Sequence, residues 1–392
     1  MILDSLRGFA LLGICLANFP EFGLWTFLSS EAHACMESAG VDRVVRFLLY
    51  LLVDAKFYGI FSILFGIGFS LILSHAAERG QRGVGLFYRR MLVLLCIGCC
   101  HLLFVWNGDI LVLYALVGML LPLLRRLSGH ALLWMAGVCL VVPVLIDAWQ
   151  EGTGVSLSAP VYDAWWQVAA ANGITQDNFA TWLRDSQSYP EMFSFLKQGA
   201  VERMYEFVDG HRLLKVLGLF LIGYQIGRSR LYARLEELGG ALRKCCWWGL
   251  LTGLPTSVLY AMSATQGHPW GLTVHSLLYT VSALPMTLAY ISGCCVLYLH
   301  RPRHWTFRLL ASNGRMALSN YIGQSLVGIA IYYGIGLGLG TAMGLAQIEL
   351  VALGVYGLQV LLSLLWMSRF RFGPLEWLWR MLTYGQRLPL KR

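Results

Sequence analysis

The chain has 392 residues, of which 57% are hydrophobic and 13% charged, with a formal net charge of +9 and a mean hydropathy of +0.61. Water cannot be the solvent for most of such a chain, so a soluble globular protein is excluded and a polytopic membrane protein is expected. The positive charge calls for no nucleic acid, because anionic lipid and the orientation rule for membrane proteins account for it.

A bilayer core of about 30 Å needs roughly 20 apolar residues per helix. The sequence offers about ten such spans, near 8–28, 58–76, 89–106, 109–125, 131–149, 213–228, 245–264, 272–299, 314–336 and 346–367. Residues 42–57 read as a short helix entering the second span, and 308–313 as an extension of the ninth. The predicted fold class is therefore all-α, a polytopic transmembrane helical bundle of about ten (10–11) helices. It divides into an N-terminal bundle (1–149), an extracytoplasmic loop (150–212), a C-terminal bundle (213–367) and a cytoplasmic amphipathic tail (368–392). The first apolar segment lacks an Ala-x-Ala-like exit and carries Asp4 and Arg7 at its start, so a cleavable signal peptide is not expected. Most of the 30 Lys and Arg fall in alternate connections, whereas 107–108, 266–271 and 337–345 hold none. Both termini are therefore placed in the cytoplasm. The ten cysteines include the adjacent pairs Cys99-Cys100, Cys245-Cys246 and Cys294-Cys295. Neighbours on a helix point about 100° apart, so each pair reads as apolar packing rather than as ligands of one metal.

Along the chain, ionisable and amide side chains inside apolar spans are costly and mark sites. The first span opens on Asp4 and Arg7 in DSLRG, and Asn18 follows on the same helical face, about 16 Å beyond Arg7. Asp54 and Lys56 at the mouth of the second span read as a local ion pair. Between the third and fourth spans, in GCCHLLFVWNGDIL, His101 falls about 7 Å below the outer surface. Asp109 follows an Asn-Gly turn at an N-cap position. The hairpin returns the carboxylate toward the imidazole, and an Asp that orients a neutral His is the pairing general base catalysis needs near neutral pH. A well-capped helix beside a satisfied buried histidine explains the same residues without chemistry.

In the connection from Gln150 to Arg212, the runs 162–173 and 190–208 have helical periodicity with aromatic faces. They are expected either to lie in the membrane interface or to cap the bundle. The ninth span opens with SNGRMALSNYIGQS, where Arg315 and Ser319, then Asn320 and Gln324, stack as helical neighbours. These read as polar glue between helices or as the lining of a substrate path. After a Gly-Pro break the tail reads as a short amphipathic helix with Leu375, Leu378, Trp379 and Leu382 on one face. No internal repeat is visible, which leaves the inverted-repeat signature of many transporters unsupported.

With DSLRGFALLGICLAN, AKFYGIFSILFGIGF, GCCHLLFVWNGDILVLYALVG, GRMALSNYIGQS and GPLEWLWRMLTYG in this order, nearly the whole chain resembles the YeiB family, whose C-terminal region is a domain of unknown function. The DxLRG opening is similar to that of the wider transmembrane acyltransferase superfamily, including acyltransferase family 3 and heparan-glucosaminide N-acetyltransferase. Those enzymes take an acyl group from a cytoplasmic donor and place it on a sugar across the membrane. Family 3 enzymes carry a His where this chain has Asn18. The heparan enzyme has Asn there and its active His eleven residues later, where this chain has Ser29, with His33 four residues beyond.

The resemblance thus implies a membrane acyltransferase of the inner (cytoplasmic) membrane, moving an acyl group such as acetyl from acyl-CoA to a sugar or glycolipid reached from the outer side. The catalytic candidates are His101, Asp109 and Asn18, with His101 preferred to His33. The donor- or substrate-binding candidates are Asp4, Arg7, Lys56, Arg315, Asn320, Gln324, Glu376 and Arg380. Acetyl-CoA or another acyl-CoA is the expected donor, with no tightly bound cofactor and no metal. Membrane lipids, a carbohydrate or glycolipid acceptor and a second copy of the chain are the expected partners. A permease or channel that uses His101 as a proton relay, and a scaffold without chemistry, are the alternative classes.

Overall fold

The computed structural model describes residues 1–78, 80 and 83–392, and most of them are helical. The order begins α1 (Ile2–Phe22), α2 (Ser30–Cys35), α3 (Ala39–Leu52), α4 (Lys56–Glu78), α5 (Gly83–Phe104), α6 (Leu111–Gly118), α7 (Leu121–Leu124), α8 (Gly129–Thr153) and α9 (Ala159–Ala171). It continues with α10 (Trp182–Asp185), α11 (Tyr189–Asp209), α12 (Arg212–Arg228), α13 (Gly239–Thr265), α14 (Leu272–His300), α15 (Trp305–Arg315), α16 (Ala317–Tyr332), α17 (Leu345–Arg369) and α18 (Pro374–Tyr384). Among the described residues there is no strand, only an isolated antiparallel bridge between Phe370 and Lys391. Among the described residues, six stretches are long and apolar enough to cross a bilayer: α1, the run Ala39–Glu78 through α3 and α4, α5, α8, α14 and α17. Side chains such as Trp134 (77% exposed) and Leu365 (65% exposed) face outward, as lipid-facing residues of a membrane bundle do.

Two predicted spans are broken. In the fourth, α6 ends at Gly118, and Pro122, which has no N–H for the Gly118 carbonyl, opens the separate turn α7. In the ninth, α15 and α16 part at Met316, whose backbone leaves the helical region at φ −110° and ψ 28°. The expected stacking of Arg315 on Ser319 is therefore lost, because the two residues stand on different helices.

Helices from the two halves of the chain interleave. The α12 helix packs on α4 and α8, while α1 packs on α15, α17 and α4. The α1–α15 crossing is a backbone contact: a Cβ at Gly8 would lie 2.0 Å from the Leu310 carbonyl oxygen, and one at Gly314 would lie 1.9 Å from that of Asp4. Such close approach is what small residues allow between membrane helices.

Of the two readings of 150–212, the cap is the one observed. The α11 helix packs on α9, α5 and α12 and buries Met192, Phe195 and Leu196 against the main core. The tail helix α18 folds back against α5 and α16, leaving Leu378 and Leu382 exposed.

Candidate functional site

The α5–α6 hairpin brings His101 and Asp109 into contact, with 2.8 Å between Nδ1 and Oδ1. Both are buried, at 2% and 1% exposure. The hairpin closes because Gly98 lets α6 approach, since a Cβ there would stand 2.8 Å from the Val112 nitrogen. Asp109 also caps α6, its Oδ2 accepting from Val112 N–H at 2.7 Å. The N-cap role and the histidine-partner role are thus filled at once, one by each oxygen. The other imidazole nitrogen, Nε2, lies 3.0 Å from the hydroxyl of Ser325 on α16. Tyr321, one turn earlier on α16, packs its ring 5.3 Å from the imidazole, and its hydroxyl lies 3.4 Å from the Gly108 carbonyl oxygen.

The cap clamps this hairpin from above. Arg203 of α11 donates from Nε to the Asn107 carbonyl at 2.8 Å, and Asn107 donates from Nδ2 to Glu202 at 3.1 Å. Arg203 is also paired with Glu206 and stands 3.7 Å from Glu21 at the end of α1. Burial, with Glu206 and Glu21 close by, pushes the Glu202 carboxyl well above the usual carboxylate range.

Toward the α18 end, a buried polar network continues along α16 and α17. Asn320 donates to Asn313 Oδ1 and to Ser363 Oγ, the latter at 2.9 Å. Gln324 donates to Gln359 Oε1 at 3.1 Å, and Gln359 donates to the Asn320 carbonyl at 3.0 Å. Asn320 and Gln324 are thus joined through α17, with Gln324 Oε1 left without a partner.

The remaining candidates lie outside this network. Arg7 pairs with Asp4 at 2.8 Å, both partly exposed. Asn18 is half-buried on α1. Glu376 holds the start of α16, accepting from Leu318 N–H at 2.7 Å, Ser319 N–H at 3.0 Å and the Ser319 hydroxyl at 2.6 Å. An anion at free helical N–H groups is the favoured arrangement. Arg380 stacks 4.8 Å from the Phe372 ring centroid, and Arg315 is exposed. Lys56 does not pair with Asp54. Ala55 lies between them at φ +64°, so the side chains diverge: Lys56 donates to the Tyr50 carbonyl at 2.6 Å, and Asp54 accepts from the Tyr260 hydroxyl at 2.5 Å. His33 stacks on Trp25 at 3.9 Å, with its Nε2 on the Trp25 carbonyl.

Three features lie outside the candidates read from sequence. Ser325 ends the quoted GRMALSNYIGQS motif but bonds to a histidine far away in the chain. Arg90 of α5 stacks 3.8 Å over Trp379 and lies within Coulombic range of Arg380 and Arg7, which gathers three guanidinium groups at the α18 end. Glu349 of α17 is buried with neither carboxyl oxygen partnered, and a single acid in an otherwise apolar span was its only signal. Among the described residues no three His, Cys, Asp or Glu side chains converge on a metal-sized site.

Residues 226–386 match the family model described as Protein of unknown function (DUF418). That region supplies Ser325, the Asn320–Gln359 network and Glu376, whereas His101 and Asp109 precede it. Along its length the chain is similar to uncharacterized protein YxaH of Bacillus subtilis (strain 168), at 28% identity over 100% of this chain and 96% of that protein. It is similar to an uncharacterized 39.9 kDa protein in the amylase 3' region of Bacillus acidopullulyticus, at 28% identity over 99% of this chain and 94% of the relative. It is also similar to uncharacterized protein YeiB of Escherichia coli (strain K12), at 29% identity over 97% of this chain and 95% of the relative. No solved structure matches the chain.

Proposed function

We propose that the chain is a YeiB-family protein of the inner membrane, crossing it about ten times with both termini in the cytoplasm, and that it transfers an acyl group from cytoplasmic acyl-CoA to a hydroxyl or amine acceptor, a sugar or glycolipid, at the outer side. The additional crossings are α6–α7, α12, α13 and α16. The observation that carries the reading is the buried 2.8 Å contact between His101 and Asp109. A carboxylate on Nδ1 fixes the imidazole tautomer and stabilises the imidazolium, so Nε2 can take a proton from a reacting hydroxyl.

The inner end suits the donor. Arg7, Arg90 and Arg380 gather there, and guanidinium groups match phosphate oxygens. From Arg90 to His101 along α5 is about 16 Å, a distance an extended phosphopantetheine arm can span. Asn18, half-buried on α1, and the buried amides of α16 are the groups we assign to that route. Asp4 and Glu376 hold Arg7 and the α16 start in place, and Lys56 lies apart from it.

Purified protein in detergent should bind acetyl-CoA saturably, and Arg7→Ala should weaken the binding. Absence of binding up to millimolar concentration contradicts the donor assignment. A second reading, a permease for a small solute or lipid, rests on Glu349, whose buried unpartnered carboxyl is the kind of group proton-coupled carriers use. Flux into proteoliposomes independent of CoA would favour it.

A further inference from the structure

We propose that Ser325 is a nucleophile, holding the acyl group as an ester between donor and acceptor, with His101 as its base and Asp109 as the orienter of that base. The proposal rests on the acyl-transfer reading for its substrate, but not for the reactivity of the serine.

The geometry is a complete chain of hydrogen bonds. Asp109 Oδ1 lies 2.8 Å from His101 Nδ1, and His101 Nε2 lies 3.0 Å from Ser325 Oγ. The second Asp109 oxygen is fixed by Val112 N–H at 2.7 Å, so the carboxylate cannot rotate away. With Asp109 ionised, the imidazole hydrogen resides on Nδ1 and the lone pair on Nε2 accepts from the serine hydroxyl, which is the tautomer an activated serine requires. The three groups stand on α5, on the turn into α6, and on α16, so rigid elements hold them.

Ser325 also departs from the local bonding of several helical serines in this chain, although Ser62 and Ser263 likewise bond to side chains. Ser74, Ser292 and Ser312 donate back to the carbonyl four residues earlier, at 3.1, 2.6 and 3.0 Å, the usual local solution for serine in a helix. Ser325 instead turns to the imidazole. On the imidazole side of the site, Trp106 packs its ring 6.1 Å from the His101 ring, and its indole N–H is buried without an acceptor. A free donor in a water-excluded site is what a developing oxyanion needs.

The steps balance. Ser325 Oγ attacks the thioester carbonyl while its proton passes to His101 Nε2. The tetrahedral intermediate collapses, the C–S bond breaks, and the CoA thiolate leaves with the proton from His101. The acceptor hydroxyl or amine then attacks the ester carbonyl, His101 takes its proton, and the C–O bond to Ser325 breaks as the proton returns to Oγ. Ser325 is fully buried, so the ester is shielded from hydrolysis between the two halves.

A fluorophosphonate probe tests the nucleophile without reference to any donor: a serine O–P bond forms, fluoride leaves, and the modified peptide is read by mass spectrometry. Purified wild-type protein should be labelled at Ser325, Ser325→Ala should not, and Asp109→Asn should be labelled roughly 10²-fold more slowly. In parallel, acetyl-CoA should leave one acetyl group on Ser325 in the absence of acceptor, and Ser325→Cys should hold it as a thioester. Probe labelling without an acetyl adduct supports the nucleophile and overturns acyl-CoA as the donor. No probe label and no adduct on Ser325 overturns the nucleophile. So does acyl transfer at the wild-type rate by Ser325→Ala, a result that leaves the acyltransferase reading standing with His101 as a direct base.

Discussion

Asp109 meets His101 through one carboxylate oxygen and starts the next helix with the other, at 2.8 and 2.7 Å. This double use makes Asp109→Asn a sharper experiment than either role alone would. Asn caps a helix as well as Asp does, so its oxygen stays on Val112 N–H. Its amide nitrogen must then face Nδ1, a donor against a donor, unless the imidazole adopts the other tautomer. We expect the melting temperature to fall little and acyl transfer to fall about 10²-fold or more, measured as thermal unfolding and as rate on the same preparation. A rate near wild type in a folded variant would leave Asp109 as a helix cap only.

Gly98→Ala tests whether the hairpin must close for the pair to work. The added methyl would stand 2.8 Å from the Val112 nitrogen, and backbone gives way poorly. Overpacking of this kind costs about 1–3 kcal/mol. Stability and acyl transfer should fall together, as read by thermal unfolding and turnover. An unchanged melting temperature would mean that α5 and α6 are free to separate at this point.

The clamp from the cap predicts a third result. Arg203 lies among Glu21, Glu202 and Glu206 while donating to the Asn107 carbonyl. Arg203→Met takes the cation from the half-buried Glu21 and Glu206 and the donor from the Asn107 carbonyl, a loss of charged hydrogen bonding worth about 1.5–3 kcal/mol. Hydrogen exchange at the α5–α6 turn should accelerate in that variant. Unaltered protection there would show that α11 does not hold the turn.

Glu376 offers a fourth. Its carboxylate receives two backbone N–H groups and one hydroxyl at the start of α16. Glu376→Ala should cost about 1–2 kcal/mol, as the loss of a helix cap does. If it instead weakened acetyl-CoA binding with no effect on thermal unfolding, the residue would belong to the donor site rather than to the helix.

What was legible in the sequence follows from distance along the chain. His101 and Asp109 are eight residues apart in one hairpin, so the Asn-Gly turn and helix spacing suffice to bring them together. Ser325 lies 224 residues from His101, and no local pattern announces that contact. Arg315 and Ser319 were expected to stack because their spacing is helical, but the helix is interrupted at Met316, and Glu376 of the tail caps the new start. Lys56 was expected on Asp54 from adjacency alone, an argument that the left-handed backbone at Ala55 defeats. The long apolar helices and the helical cap were readable because apolar periodicity is a local property. The break in the fourth predicted span escapes the sequence reading, which runs 109–125 as one continuous span, although Pro122 is a local mark of it.

The most direct test of the central claim is transfer itself. Membrane vesicles containing the protein are supplied with acetyl-CoA labelled in the acetyl group, and label in lipid and carbohydrate fractions is followed over time, with wild type compared against His101→Gln, a polar replacement that cannot act as a base. An acceptor should gain label with wild type and essentially none with the variant, both proteins being present in equal folded amounts. Equal labelling by the two proteins, or no labelled acceptor from wild type, would contradict that claim.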